Sequence, residues 1–328
     1  MSLRHGTLYF RNLVNLTNRL IVLSLHKKSM NTKPLPQDYL KLHFIVAILS
    51  FTAILGRLTE VSTLGVVFYR TLLATLGMLV LATFQKKNLK ISFKQSLPLL
   101  GVGAIISLHW ICFFGSARAS TVAVSLVTFS TTSFFTSILE PYIRKTKVSW
   151  VEVFLGILVV GGMYFVFAFE SKYLTGILVG IVGAILAAVF SIINAQFAQK
   201  YDAQIVTFYE MLGAFLSSWI YIPIIIYFSK GITYQLIPTR YDWLWLAILG
   251  LVCTVYPYNE MMKLLKKISA FTLNLSINME PIYGIMMAYF IFGEKEKMTS
   301  GFYIGGALIL LSVVLYPFLK KYNARKGA

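Results

Sequence analysis

The stretch LNLSINMEPIYGIMMAYFIFGEKEK, residues 273–297, decides the fold. Its apolar part is long enough to cross a bilayer, for which a helix needs roughly 20 residues. It nevertheless contains Asn274, Asn278 and the pair Glu280-Pro281. Polar groups and a proline are tolerated at that depth where they face protein or a water-filled space. The stretch therefore predicts a membrane helix that borders an internal cavity.

Apolar runs of similar length recur along the whole chain. Of its 328 residues 57% are hydrophobic and 13% are charged, more apolar surface than a soluble domain of this size buries. The runs do not alternate as the strands of a membrane barrel do. They predict an all-α integral membrane protein with ten transmembrane helices, at 42–60, 63–84, 97–117, 121–142, 149–169, 174–198, 204–228, 242–262, 269–292 and 299–318.

Lysine and arginine are distributed unequally between the two sides of these spans. With the N-terminus in the cytoplasm, the inside segments hold 22 of them and the outside segments seven. The positive-inside rule then places both termini in the cytoplasm. The same pattern accounts for the net charge of +18 without nucleic acid as a partner, because the basic residues lie between spans and at the two ends.

Neither the terminal segments of the chain nor its cysteines indicate a catalytic or metal-binding site. Residues 1–41 are predicted to be a cytoplasmic leader that could arise from an over-called start, with an amphipathic surface segment as the alternative, and 319–328 a basic cytoplasmic tail. Both cysteines, Cys112 and Cys253, fall inside predicted spans. We expect no disulfide framework, no metal site and no cofactor, and the chain lacks a nucleotide-binding loop.

The two halves of the chain resemble one another. At an offset of 149 residues several identities coincide, namely Gly101 with Gly250, Ser120 with Ser269, Leu126 with Leu275, and Gly156 with Gly305. The halves 42–169 and 174–318 would each hold five spans, and an odd number inverts one copy relative to the other. The sequence thus predicts two inverted five-helix repeats, an arrangement typical of secondary transporters.

Hydroxyl side chains form a stripe on the fourth predicted span. Their spacing of three and four residues puts them on one helical face, either as helix-packing groups or as a cavity wall. The stripe consists of Thr121, Ser125, Thr128, Thr132 and Thr136. Glu140 follows it, and an ion pair with Arg144 four residues later is the favoured interpretation there.

On the ninth predicted span, Asn274, Asn278 and Pro281 share one face, and Pro281 should kink the helix and free a backbone carbonyl. Glu280 points about 100° away from Pro281 on a regular helix. A charge at the bilayer centre costs about 2.5–3.5 kcal/mol, so Glu280 should meet a cation, take up a proton or reach water. It is the leading candidate for a functional carboxylate, with a structural ion pair as the alternative.

Other polar residues within predicted spans are candidates for the same cavity. Arg70 and Glu210 occupy matched repeat positions, and each could serve charge recognition or helix locking. Packing is the alternative for the aromatic groups and the favoured interpretation for Trp110. The cavity candidates are His109, Trp110, Tyr258 and Asn259; the further charge or coupling candidate is Glu260; the candidates for a gate are Ser191 and Asn194.

Short motifs in the second half resemble the EamA type of the drug/metabolite transporter superfamily. They are Ser269-Ala270, Glu280-Pro281, Gly293-Glu294, Gly305-Gly306 and Leu308-Ile309, with Arg70 and Ala74 matching in the first half. The first half departs from the pattern, with Thr131-Thr132 and Arg144-Lys145 where the family has a proline and Gly-Glu. The resemblance covers residues 38–320 and implies ten helices around a central cavity between spans three, four, eight and nine.

The leading hypothesis is a secondary transporter of the bacterial inner membrane. It would move an amino acid, nucleoside or drug-like compound outward by alternating access. Membrane lipids would surround it, and protons are the candidate coupling ion. An integral membrane enzyme that acts on lipid or small molecules, or a receptor without transport, is the alternative.

Overall fold

The computed structural model describes residues 34–169, 171–229, 233–293 and 299–326. Most of the predicted leader and residues 294–297 of the opening stretch lie outside these ranges. All regular secondary structure in the described residues is helical, and they contain no strand. We number its α-helices as α1 Pro36–Leu58, α2 Thr63–Phe84, α3 Phe93–Ala119, α4 Val122–Phe129, α5 Thr132–Arg144, α6 Trp150–Phe169, α7 Leu174–Phe197, α8 Ala203–Phe228, α9 Asp242–Ala247, α10 Tyr256–Leu264, α11 Ala270–Ile277, α12 Glu280–Phe292 and α13 Ser300–Lys326.

Within the described residues, eight helical stretches are long and apolar enough to span a membrane, when α4 with α5 and α11 with α12 are each taken as one. The remaining two predicted spans also fall on helix. One is α6, whose apolar part is shorter, and the other runs from α9 through a π-helical stretch, Ile248–Val255, into α10. Helix α1 begins at Pro36, six residues before its predicted start.

Local sequence signals set the ends of several helices. Thr121, Asp202 and Ser269 each accept a hydrogen bond from a backbone amide of the first turn, which satisfies a donor that has no partner within the helix. A residue with positive φ follows each of the helices α5 and α12: Lys145 at 54° and Gly293 at 61°. The φ and ψ of Gly293 fall in a region that only glycine adopts readily.

Two pairs of short helices replace the fourth and ninth predicted spans. Helices α4 and α11 have eight residues each, α5 and α12 have 13 each, and both pairs begin 148 positions apart. The chain leaves α4 at Ser130-Thr131 and leaves α11 at Asn278-Met279. We predicted continuous helices, with a kink at Pro281 only; both spans are instead interrupted near their middle.

Close helix contacts bring these interruptions to the centre of the bundle. Helix α3 runs along α7 and α8, α2 along α8, and α12 against α1 and α4, while α13 packs mainly on α6. A Cβ built on Gly103 would lie 2.7 Å from the Ala214 amide nitrogen, so α3 and α8 approach backbone to backbone there. Small residues let membrane helices pack in this way.

Candidate functional site

A cavity of about 110 Å³ lies where the interrupted helices meet α1, α2, α3, α7 and α10. One water needs roughly 10–15 Å³, so the cavity has room for a small solute or several waters. Its lining combines aromatic rings with polar groups. The polar residues on its wall are Thr52, Arg70, His109, Ser130, Thr132, Ser191, Asn194, Asn274, Asn278 and Glu280.

Arg70 is the cation of this cavity and is 1% exposed. Its Nε donates to Thr254 Oγ1 at 2.8 Å and its Nη2 donates to the Cys253 carbonyl at 3.4 Å. The guanidinium carbon lies 3.9 Å from the centre of the Trp110 ring, a cation–π contact. Its Nη1 is buried without a hydrogen-bond partner among the described residues. Arg70 Nη1 therefore retains its N–H groups for a further hydrogen-bond acceptor.

The π-helical stretch supplies the acceptors that hold Arg70. Pro257 has no amide hydrogen and cannot bond to the carbonyl four residues before it, which is that of Cys253. Thr254 Oγ1 donates to the Leu249 carbonyl at 2.6 Å. The Cys253 carbonyl and the Thr254 hydroxyl oxygen are thus available to the guanidinium, and such π-segments are frequent at functional sites.

Glu280 is the acid of the same cavity and is 9% exposed. Its carboxylate makes no hydrogen bond or ion pair with any residue in the described ranges, whereas its backbone carbonyl accepts from Ser50 Oγ at 3.2 Å. The structural ion pair that we considered for it is therefore not formed with a described residue. As the first residue of α12, Glu280 lies at a helix N-terminus, which favours negative charge.

Asn274 and Asn278 fasten α11 to neighbouring helices. Asn274 Nδ2 donates to Thr136 Oγ1 at 2.8 Å and to Ser191 Oγ at 2.7 Å. When the Asn278 side-chain amide is oriented so that both of its ends have partners, its Oδ1 accepts from Ser133 Oγ at 3.0 Å and its Nδ2 donates to the Ser130 carbonyl at 3.1 Å and the Asn274 carbonyl at 3.2 Å. Asn278 thereby connects the interruption of one helix pair to that of the other.

Aromatic rings cover much of the remaining wall. His109 Nδ1 lies 2.9 Å from the Gly183 carbonyl, and its ring meets Phe129 and Phe190 edge to face. Tyr258 meets Trp110 in the same way, with centroids 5.4 Å apart. We favoured ordinary packing for Trp110; it lies on the cavity wall against Arg70.

Several sequence candidates lie elsewhere. Thr128 is buried against α7, where its methyl would be 2.7 Å from a Cβ at Gly180, and Ser125 donates to the Phe113 carbonyl at 3.3 Å. The structure therefore divides the predicted hydroxyl stripe: Thr132 reaches the cavity wall, while Ser125 and Thr128 serve helix contacts. Interruption of the helix at 130–131 is the physical reason.

Pro281 and Glu280 exchange the roles that a continuous helix would give them. We predicted that Pro281 shares a face with Asn274 and Asn278 and that Glu280 points elsewhere. In the structure Glu280 lies on the cavity wall, whereas Pro281 lines a second, apolar cavity between α12 and α13. The turn at Asn278-Met279 rotates α12 relative to α11, so a single helical wheel does not describe the two halves.

The remaining charge candidates lie outside the cavity. Glu210 is fully buried and accepts from Asn194 Nδ2 at 3.3 Å; Asn194 itself lines the wall. Glu260 forms ion pairs with Lys41, at 2.8 Å, and with Lys263. Asn259 is buried beside it in α10, and its Oδ1 has no described partner.

Sequence reasoning missed Thr52 and Ser130 as wall residues and missed Thr254 as the support of Arg70. Nothing in the sequence marks Thr52 as a cavity residue, since it is a single hydroxyl in an apolar run. For Thr254, its position three residues before Pro257 was the available signal.

Both ends of the helix bundle are tied by polar contacts. At the end where α1 begins, Lys267 pairs with Asp38 at 2.8 Å, and Glu140 pairs with Arg144 at 2.8 Å, as predicted. Glu140 also accepts from the Phe271 amide at 3.0 Å and so caps α11. At the opposite end, Arg118 Nη2 donates to the carbonyls of Gly56, Thr59 and Val61.

Comparison with known proteins identifies the family. The sequence model described as the EamA-like transporter family matches residues 39–168 and 174–317. A protein named as an uncharacterized transporter in Synechocystis sp. is 31% identical over 136 residues, which is 41% of this chain and 37% of that protein. Another, from Archaeoglobus fulgidus, is 28% identical over 155 residues, 47% of this chain and 52% of that protein. These matches thus span about half of each relative or less.

One solved crystal structure shares the fold. It superposes with a TM-score of 0.63 over 86% of this chain and 98% of that chain, at 14% sequence identity. At this low sequence identity, the match shows a similar arrangement of the helices and nothing about function.

Proposed function

The chain belongs to the EamA-like transporter family, and from this premise we propose that it is a secondary transporter of a small organic solute. It is a multi-pass membrane protein whose relatives bear transporter names. The proposed cycle is alternating access: the central cavity opens first to one side of the membrane and then to the other. The solute class proposed is an amino acid, a nucleoside or a drug-like compound, moved outward.

One observation carries this proposal: two oppositely charged side chains, Arg70 and Glu280, lie buried on the wall of one cavity and each retains hydrogen-bonding capacity. Buried charge in a membrane protein is costly and is usually retained for function. The surrounding rings of Trp110, Phe129 and Phe190 offer apolar contacts to the body of a solute.

The two interrupted helix pairs support a duplicated architecture. Their equal lengths and constant spacing of 148 positions agree with the proposal of two five-helix repeats of inverted orientation, making ten spans. This spacing differs by one residue from our sequence offset of 149. It pairs Glu280-Pro281 with Thr132-Ser133 in place of Thr131-Thr132.

The charge distribution supports an orientation. The end of the bundle that carries Lys41, Lys87, Arg144 and Lys267 is proposed to face the cytoplasm of a bacterial inner membrane, with both termini on that side. Glu280 is the proposed carrier of a coupling proton, because its carboxylate faces the cavity without a described counter-ion.

The test is solute flux in proteoliposomes. Vesicles with the purified protein and protein-free vesicles are given a panel of labelled amino acids, nucleosides and cationic dyes, and uptake and efflux are followed with time. The proposal predicts saturable, protein-dependent movement of at least one class, with the solute recovered unchanged. Recovery of a chemically altered solute would indicate the enzyme alternative; absence of movement for every class contradicts the proposal.

A further inference from the structure

A second cavity, which we call the apolar slot, lies between α12 and α13 and reaches inward to α4. Its volume is about 240 Å³. Its walls are almost entirely apolar, with Ile282 and Ile285 on one side, Phe302 and Leu310 on the other, and Val127 at the inner end. The slot is not part of the site described above, although Asn278 borders both.

The slot exists because two consecutive helices do not pack on each other. Helix α12 packs on α1 and α4, while α13 packs mainly along α6. A Cβ added to Gly306, on the slot wall, would meet no atom within 4 Å. The space beside Gly306 on α13 is therefore empty, since no side chain of the described residues fills it.

The mouth of the slot is continuous with the surface that faces lipid. Met286 and Tyr303 line the slot and are 57% and 53% exposed. Neighbouring exposed side chains on both helices, Phe290 and Ile304, are also apolar. In a membrane protein such a surface is in contact with acyl chains, so the occupant of the slot comes from the bilayer.

The inner end of the slot excludes water as an occupant. Asn278 is the polar group there, and its amide already bonds to the Ser130 carbonyl, the Asn274 carbonyl and Ser133 Oγ. Pro281 beside it has no amide hydrogen. A buried water needs two to four polar partners, and this wall offers too few. An apolar chain meets no such cost.

We propose that the apolar slot binds one acyl chain of a bilayer phospholipid, which inserts between α12 and α13 with its tip against Asn278 and Pro281. This acyl chain fills the gap between α12 and α13. It thereby supports the junction between α11 and α12 from the side opposite the central cavity. This site is independent of the transported solute.

The test uses a phospholipid with a photoreactive diazirine near the middle of one acyl chain, incorporated at trace level into vesicles with the full chain. After illumination, peptide mapping by mass spectrometry locates the inserted label. We expect several-fold more label on the half-buried Ile285 and Leu310 than on Ile157, which is fully lipid-facing on α6. Equal or weaker labelling of the slot residues overturns the proposal.

Matched variants separate the slot from general lipid contact. Gly306→Phe should fill the slot and remove the excess label, whereas Gly101→Phe, also at a glycine with open space around it, should leave the excess unchanged. Retention of the excess in Gly306→Phe contradicts the proposal. If that variant is not monodisperse, Ala307→Phe fills the slot from the next position. A disulfide between two copies of a Met286→Cys variant, together with absence of lipid label in the slot, would identify a second chain as the occupant and also overturn it.

Because labelling requires no solute, its outcome does not depend on whether the chain transports. A failed flux assay with a labelled slot rejects the proposed function alone, and a flux-competent protein with an unlabelled slot rejects the lipid site alone.

Discussion

Asn274 Nδ2 lies 2.7 Å from Ser191 Oγ, and this hydrogen bond joins the first half of an interrupted helix to α7. The same nitrogen donates to Thr136 Oγ1 on α5. One amide therefore ties three helices together beside the cavity, in a setting where few polar partners compete.

Asn274→Ala should destabilise the folded protein by about 2 kcal/mol, because it leaves two buried hydroxyl groups without their donor. Ser276→Ala is the matched control on α11, since among the described residues its hydroxyl bonds only to the carbonyl of Thr272 in the same helix. Thermal unfolding in detergent measures both. A loss for Asn274→Ala no greater than that for the control would show that the link is not structural.

Glu280→Gln should change the pH dependence of transport while the protein remains folded. The substitution keeps the shape of the side chain but removes its capacity to carry a proton through the cavity. Flux is measured across a pH series for the wild type, for Glu280→Gln and for Glu60→Gln, whose side chain is exposed at the loop before α2. Identical pH profiles for all three would remove Glu280 from the coupling step.

Gly103→Ala should destabilise the protein by about 1–3 kcal/mol, because the added methyl group collides with the backbone of α8 at Glu210 and Ala214. Gly101→Ala, two residues earlier on the same helix, meets open space and should be neutral or stabilising by up to about 1 kcal/mol. Comparison of the two melting curves tests whether α3 and α8 approach as closely as described. Equal effects would argue against that approach.

Arg118→Ala should destabilise the protein by about 2–4 kcal/mol, since three partly buried carbonyls lose a charged donor. Arg240→Ala, at an exposed arginine near the same end of the bundle, should change the free energy of unfolding by less than about 0.5 kcal/mol. The measurement is again thermal unfolding, and comparable losses in the two variants would contradict the assigned role of Arg118.

The sequence was sufficient to predict the helical membrane class, the family and the Glu140–Arg144 pair. These follow from hydrophobic run length, from short motifs and from local spacing. Asn274, Asn278 and Glu280 of the ninth predicted span lie on one wall of the cavity, whereas a regular helix would place Pro281, and not Glu280, on the face of the two asparagines.

The interruptions of the two spans could not be predicted in the same way. No proline marks the break at Ser130-Thr131; the Asn278 amide bonds to the Ser130 carbonyl from 148 positions away in the chain. A helical wheel drawn through such a break assigns faces wrongly beyond it, as it did for Glu280 and Pro281. The contacts of the π-helical stretch with Arg70 likewise join residues of two helices that are far apart in the chain.

The most direct test of the central claim is flux through a cavity that has been filled. Ala187 lines the cavity from α7, whereas Leu178 on the same helix is exposed toward lipid. In proteoliposomes with a solute that the wild type moves, Ala187→Phe should abolish saturable flux while remaining folded, and Leu178→Phe should retain it. Undiminished flux through a folded Ala187→Phe variant would show that the solute does not pass through this cavity.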